Sequence, residues 1–189
     1  MDKRDIEHII TDHIRVAEQV LLQSAKIEAL SRLCSDVILG GGKILLAGNG
    51  GSAADAQHLA AELTGRFEME RPALPAIALT TDTSALTAIG NDYGFNEIFS
   101  RQVAALGRDG DVLIVISTSG NSPNLVRAVE VAHVRGVKTI GFLGNTGGVL
   151  EKMTDMSFVV PSAITARIQE MHILIGHILC GYIEKNIKQ

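Results

Sequence analysis

One short stretch constrains the fold of this chain more than any other. The apolar run 43–46 leads into the turn Gly48-Asn49-Gly50-Gly51-Ser52, which we call the glycine turn. This pattern is typical of a buried strand that ends in a tight turn and continues as a helix. Glycine permits positive φ and close approach of a ligand to the backbone, and the free N–H groups of a helix start favour an anion. The stretch therefore predicts a ligand-binding turn.

The glycine turn is not a known nucleotide motif, because it matches neither G-x-G-x-x-G nor the P-loop. A glycine-rich turn that only connects a strand to a helix stays open as an alternative. The helix predicted after it carries His58 and Glu62, which are four residues apart and therefore lie on one face. A ligand-binding turn followed by an acid/base or metal-binding pair indicates an enzyme.

A second turn of the same kind follows the apolar run 111–116. It reads Ser117-Thr118-Ser119-Gly120-Asn121-Ser122, which we call the serine turn, and Pro123 is suited to the first turn of the next helix. Hydroxyl groups and helix N–H groups together suit a phosphate, although each hydroxyl alone could simply cap the helix. Because parallel strands end at one edge of a sheet, we expect the two turns to face a shared ligand.

The rest of the chain alternates strands with helices, which predicts an α/β fold with a mostly parallel sheet. Five strands are predicted, at residues 43–46, 76–79, 111–116, 137–143 and 158–160. Helices are predicted over residues 4–39 (as one helix or two), from the glycine turn onward, up to residue 89, and at 96–106, 125–135, near 150 and at 165–187. Residues 1–39 are predicted to serve packing or oligomerisation.

Residues 90–94, Gly-Asn-Asp-Tyr-Gly, are predicted to form a turn. The turn has two interpretations of about equal weight. It either only reverses the chain or presents Asn91 and Asp92 to the hydroxyl groups of a polyol.

The predicted last helix carries Gln169 and His177 among apolar residues. A lone buried histidine is more often part of the core, but His58 and Glu62 need facing partners for either zinc binding or proton transfer. Gln169 and His177 are eight residues apart, about 12 Å along an ideal helix. One metal shared by both would require long reach, a bent helix or two subunits.

Charge and cysteine usage restrict the other function classes. The chain has a net charge of −4 and contains no block of like charges. Both features argue against nucleic-acid binding and favour a small-molecule partner. Cys34 and Cys180 are predicted to be buried free thiols, which suits a reducing cytoplasm. The chain shows no signal peptide and no run of about 18 apolar residues, so a soluble protein that is not exported is expected.

The combined motifs resemble a known family. The glycine turn with Ala54-Asp55-Ala56-Gln57-His58, the serine turn, and residues 166–172 are similar to the sugar-isomerase (SIS) domain, specifically to the bacterial phosphoheptose isomerases. The resemblance extends over nearly the whole chain, which makes residues 1–189 one SIS domain. It implies a three-layer α/β sandwich with long N-terminal and C-terminal helices, and a homotetramer with active sites at subunit contacts.

The resemblance also implies a reaction and its residues. Sedoheptulose 7-phosphate would become D-glycero-D-manno-heptose 7-phosphate, a precursor of envelope heptoses. Glu62 and His177 match the catalytic pair, and zinc-binding positions of the family match His58, Glu62, Gln169 and His177. Sugar-binding positions match Asn49, Gly50, Gly51, Ser52, Asn91 and Asp92, with Arg66 and Gln169 as further contacts, and phosphate-binding positions match Ser117, Thr118, Ser119 and Ser122.

The chemistry of ketose–aldose conversion agrees with this assignment. A route through an enediol needs one group that removes a proton from a carbon atom and another that moves a proton between the oxygens. We expect Glu62 to take the carbon-bound proton and His177 to serve the oxygens. One alternative is a non-catalytic SIS protein that binds a sugar phosphate or a replication initiator, although such relatives lack the acid/base residues. Another alternative is an isomerase of hexose phosphates.

Overall fold

A parallel sheet of five strands lies at the centre of the computed structural model, which describes residues 1–187. The strand order is β2-β1-β3-β4-β5, and every neighbouring pair is parallel. The strands are β1 (Ile44–Gly48), β2 (Ala76–Ala78), β3 (Val112–Ser117), β4 (Lys138–Gly144) and β5 (Met156–Val160). The prediction of a five-stranded α/β fold is confirmed, and the sheet is entirely rather than mostly parallel.

Eight α-helices surround the sheet in the described part of the chain. They are α1 (Lys3–Leu21), α2 (Ser24–Leu39), α3 (Gly51–Thr64), α4 (Thr83–Tyr93), α5 (Ser100–Leu106), α6 (Pro123–Val134), α7 (Gly148–Met153) and α8 (Thr165–Ile187). The N-terminal helical region is therefore two helices. A capping box fixes the start of α1, since Asp2 and Asp5 each accept the backbone N–H of the other.

The sheet separates two apolar cores. One core joins α1, α2, α3 and α8 to strand residues such as Ile114 and Phe142. The other joins α5, α6 and α7 to the intervening strand residues, such as Leu113 and Val115. All six residues of β3 are buried because helices cover both faces, which explains its continuous apolar sequence.

Two predicted boundaries are wrong. Residues 90–94 do not form a turn, because α4 continues through Asn91 and Asp92 and ends at Gly94, whose φ is 89°. The helix predicted over 96–106 is divided into a 3-10 turn, Phe95–Glu97, and α5. Ile98 and Phe99, both buried, lie between these pieces and pack in the second core.

The strand order creates a crevice at one edge of the sheet. From β1 the chain passes to β2 on one side, and then returns to β3 on the other. The connections that follow β1 and β3 therefore diverge at their carboxyl ends, where parallel α/β sheets bind ligands. Both the glycine turn and the serine turn lie there.

Two further expectations concern single residues and helices. Cys34 and Cys180 are buried free thiols, as predicted. Burial raises the pKa of the Cys180 thiol to about 12. Within residues 1–187, none of the helices combines the length and the apolar character that crossing a bilayer requires.

Candidate active site

Hydrogen bonds join the glycine turn to the helix after the serine turn. The Asn49 side chain donates to the Asn124 amide oxygen at 3.0 Å and accepts from the Asn124 amide nitrogen at 2.9 Å. Asn124 is buried in the first turn of α6. Sequence reasoning missed it, because an asparagine after Pro123 gives no sign of burial. This amide pair spans the crevice and fixes the two turns relative to each other.

The serine turn is held in shape by its own hydroxyl groups. Ser117 Oγ accepts the N–H of Gly120 at 3.1 Å and lies 3.3 Å from Ser122 Oγ. Ser119 Oγ accepts the N–H of Asn121 at 3.2 Å. Pro123 begins α6, as predicted. The turn therefore brings hydroxyl groups to a helix start, an arrangement suited to phosphate.

His58, Glu62 and His177 come together although His177 lies on a distant part of the chain. His58 Nε2 lies 2.9 Å from His177 Nε2 and 3.2 Å from Glu62 Oε1. One donor atom from each of the three residues lies within 4.8 Å of the other two. We call these residues the histidine–glutamate cluster.

The cluster has the chemistry of a metal site. Two Nε2 atoms only 2.9 Å apart do not both carry protons, so one donates to the other or both lone pairs face a common cation. Two imidazoles and one carboxylate form a donor set that zinc accepts, with a further position for another ligand. The three residues therefore fit a zinc ion.

Close contact between α3 and α8 makes the cluster. A Cβ on Gly176 would lie 2.5 Å from Leu59 Cδ2, so the absence of a side chain lets the helices approach. The next residue, His177, is supported by the ring of Phe67, whose centroid is 5.4 Å away at an interplanar angle of 22°. Gly176 in an apolar helix was a visible sign of close packing, whereas nothing in the sequence indicated Phe67.

Gln169 lies against the glycine turn. A Cβ on Gly51 would be 2.4 Å from Gln169 Nε2, so only glycine leaves room for this amide. His58 is seven residues further along α3, about 10 Å on an ideal helix axis. The spacing from Gly51 to His58 along α3 is therefore close to the spacing from Gln169 to His177 along α8.

Three candidate contacts lie at the surface. Arg66 is exposed in the connection after α3. Asn91 and Asp92 are exposed in the last turn of α4, where the Asn91 amide donates to the Asp92 carboxylate at 2.8 Å. This hydrogen bond links Asn91 and Asp92 to each other, and among the described residues it does not link either of them to the glycine turn or the serine turn.

Asp55 lies on α3 between the glycine turn and His58. Burial raises the pKa of its carboxyl, and the nearby His58 opposes this only in part. Among the described residues, its Oδ2 atom is one of the buried side-chain oxygens without a hydrogen-bond partner. In the sequence Asp55 is visible only as part of the Ala54–His58 motif, and nothing there indicates that its carboxyl group is buried.

Known proteins similar to this chain share both its sequence and its architecture. Residues 10–144 match the family described as SIS domain. The chain is 57% identical to the phosphoheptose isomerase of Sulfurimonas denitrificans over 162 residues, covering 86% of this chain and 83% of that protein. It is 50% identical to the phosphoheptose isomerase of Burkholderia pseudomallei over 194 residues, covering 99% and 98%.

A solved structure agrees with these sequence matches. The phosphoheptose isomerase of Francisella tularensis superposes with a TM-score of 0.94 at 43% identity, covering 98% of this chain and 100% of that one.

Proposed function

The chain belongs to the phosphoheptose isomerases of the SIS domain family, and we propose that it converts sedoheptulose 7-phosphate to D-glycero-D-manno-heptose 7-phosphate. Its class is that of an aldose–ketose isomerase, which disfavours the non-catalytic alternative. The observation that carries the residue-level proposal is the convergence of His58, Glu62 and His177. We propose that this reaction supplies the precursor of envelope heptoses and that it takes place in the cytoplasm.

Substrate binding is assigned to both turns. The serine turn takes the phosphate through Ser117, Thr118, Ser119 and Ser122, supported by the N-terminal N–H groups of α6. The glycine turn binds the sugar hydroxyls through Asn49, Gly50, Gly51 and Ser52, with Gln169 beside it. Arg66, Asn91 and Asp92 supply further contacts, for which their exposure leaves them available.

Proton transfer is assigned to Glu62 and His177. Glu62 removes the proton from the carbon next to the carbonyl, and the electron pair of that C–H bond forms the C=C bond of an enediolate, with the negative charge on the former carbonyl oxygen. His177 moves the proton of the neighbouring hydroxyl to that oxygen, the new carbonyl forms at the other carbon, and the proton held by Glu62 passes to the former carbonyl carbon. His58, within hydrogen-bonding distance of His177 and 3.2 Å from Glu62, orients both groups.

A zinc ion is proposed at the histidine–glutamate cluster. His58, Glu62 and His177 would hold it, and Gln169 would complete the set with an extended side chain or from a second subunit. When bound, zinc would polarise the carbonyl of the sugar. Glu62 has two carboxylate oxygens and His177 has two ring nitrogens, so each residue could bind the metal through one atom and exchange a proton through the other.

A homotetramer with active sites at subunit contacts is proposed as the working form. The outer face of α1 supports it, because Ile6, Ile9, Ile10 and Ile14 are between 42% and 55% exposed. A run of exposed isoleucines on an amphipathic helix is typical of a surface that a partner covers. We propose residues 1–189 as one SIS domain whose first two helices serve this packing.

A turnover assay with two sugar phosphates tests the proposed function. The purified protein is incubated with sedoheptulose 7-phosphate or fructose 6-phosphate, and the products are identified by NMR, with and without a chelator. We expect turnover of the seven-carbon substrate only. Conversion of neither sugar by folded, metal-loaded protein would contradict the proposal, and conversion of fructose 6-phosphate alone would favour a hexose phosphate isomerase.

Glu62→Gln tests the assignment of the base. It preserves the shape of the side chain but removes the basic oxygen, so we expect kcat to fall about 10²- to 10⁴-fold. Exchange of solvent deuterium into C1 or C2 should fall with it. Turnover close to that of the unchanged protein would refute the role of Glu62.

A further inference from the structure

A buried ion pair lies beside the histidine–glutamate cluster. Arg71 Nε and Glu184 Oε1 are 3.0 Å apart, and both side chains are 1% exposed. Buried ion pairs contribute little net stability, because desolvation of the charges offsets their attraction. The contacts of this pair therefore indicate more about its role than its charge does.

Glu184 accepts backbone hydrogen bonds from the loop that follows α3. Its Oε1 accepts the N–H of Phe67 at 2.8 Å, and its Oε2 accepts the N–H groups of Glu68 and Met69 at 2.9 and 3.0 Å. Burial favours a higher pKa for the Glu184 carboxyl, but these N–H groups and Arg71 outweigh it and hold the pKa below its usual value. Glu184 is thus a charged acceptor with both oxygens in use.

Arg71 donates hydrogen bonds to the backbone carbonyls at the carboxyl end of α3. Its Nη2 donates to the backbone oxygen of Glu62 at 2.6 Å, and its Nη1 donates to the backbone oxygens of Leu63 and Gly65 at 2.8 and 3.0 Å. The last carbonyls of a helix lack partners within the helix, so the guanidinium supplies the donors that α3 needs. One of the bonded residues is Glu62 itself.

The pair therefore connects the elements that carry the cluster. Arg71 fixes the backbone of Glu62, and Glu184 fixes the backbone of Phe67, whose ring stacks on His177. Glu184 lies on α8, seven residues after His177.

We propose that Arg71 and Glu184 are positioning residues that set the placement of Glu62 relative to His177. This inference rests on the proposed function in taking those two residues as the acid/base pair. The substrate need not touch the ion pair, which acts through the backbone of Glu62 and the ring of Phe67.

Glu184→Gln is the sharpest test. Each oxygen of Glu184 faces two N–H donors, so either orientation of the glutamine amide places an NH₂ group against two donors. The loop must then move. We expect kcat to fall about 10- to 100-fold, as a displacement of about 1 Å does, while KM stays within about threefold because the serine turn is separate.

Asp111→Asn is the matched control. Asp111 is also a buried carboxylate that pairs with a cation, Lys43, and accepts the backbone N–H groups of Lys43 and Arg108. It lies at the amino end of β3, away from the cluster. We expect a loss of thermal stability similar to that of Glu184→Gln with kcat within about twofold of the unchanged protein.

A second readout does not depend on turnover. Because the Phe67 ring stacks on His177, ring-current shifts displace the His177 ring protons in histidine-selective NMR spectra. Glu184→Gln should change these shifts, and Asp111→Asn should not. Failure of the unchanged protein to turn over sugar would contradict the proposed function, whereas these spectra would still decide whether the ion pair positions the ring.

Two results would overturn the inference. One is a Glu184→Gln protein with unchanged His177 signals, and the other is kcat within about twofold of the unchanged protein at a Tm lowered as far as in Asp111→Asn. If Glu184→Gln does not fold, Arg71→Lys serves instead. The lysine keeps the charge but has only one nitrogen for the carbonyls of Glu62, Leu63 and Gly65, and the same expectations apply.

Discussion

Gly51→Ala separates the placement of Gln169 from the stability of the fold. The added Cβ would lie 2.4 Å from Gln169 Nε2 and 3.0 Å from Gln169 Cδ. Ordinary contact begins near 3.4 Å, so the amide must move by about 1 Å. The backbone of Gly51 is not in the left-handed region, and alanine is therefore compatible with its conformation.

The structure sets the size of the effect. Gln169 is a flexible side chain, and alanine favours helix more than glycine does, so unfolding free energy should change by less than about 1 kcal/mol. A displacement of about 1 Å in a positioned group costs about 10²-fold in rate, equivalent to about 2.7 kcal/mol of transition-state stabilisation. Turnover should therefore fall much more than stability.

The assay compares kcat for sedoheptulose 7-phosphate, bound zinc and urea unfolding in Gly51→Ala and Gly90→Ala. Gly90 lies within α4, and a Cβ there would make an ordinary contact of 3.7 Å with Ile98 Cγ2. Gly90→Ala should be slightly more stable, with unchanged turnover.

Turnover of Gly51→Ala within about twofold of the unchanged protein would refute the argument, because Gln169 would then have moved without consequence. A large loss of stability would also refute it, since the clash would then fall on the fold and not on one side chain.

Three further predictions follow from other contacts. Asn124→Ala removes both partners of the Asn49 amide, and steady-state kinetics should show KM raised about tenfold with a smaller change in kcat. Burial lowers the pKa of His172 to about 4. As pH falls below about 6.5, the unfolded state therefore binds a proton that the native state does not, and the protein loses stability. Urea unfolding should show that this group makes the free energy of unfolding about 2 kcal/mol lower at pH 5 than at pH 7. His172→Gln, which keeps a donor for the Leu143 carbonyl, should show a shallower loss. Chelation of the zinc proposed at the cluster should abolish turnover and lower Tm, and added zinc should restore both.

Local patterns predicted the parts of the molecule that local physics decides. The buried strands required continuous apolar residues, and the glycine turn and Pro123 marked helix starts in ways that tertiary packing did not override. The sequence indicates that His58 needs a facing partner but does not place His177 beside it, because 119 residues separate the two.

Other features depended on packing that no local pattern encodes. Residues 90–94 have turn composition, yet α4 extends through them to Gly94. Arg71 and Glu184 are 113 residues apart, and their isolation from solvent arises only when α8 packs beside α3. Charged residues in a sequence are most simply interpreted as surface residues, so this buried ion pair is visible only in the folded chain.

The arrangement of α3 and α8 also sets a length. Gly51 faces Gln169 at one end, and His58 faces His177 at the other, so the helices run side by side in the same direction. These intervals of seven and eight residues correspond to about 10 and 12 Å of helix. The pair of helices therefore fixes how far the histidine–glutamate cluster lies from the glycine turn, and a sugar chain that contacts both must be long enough to cover about 10 Å.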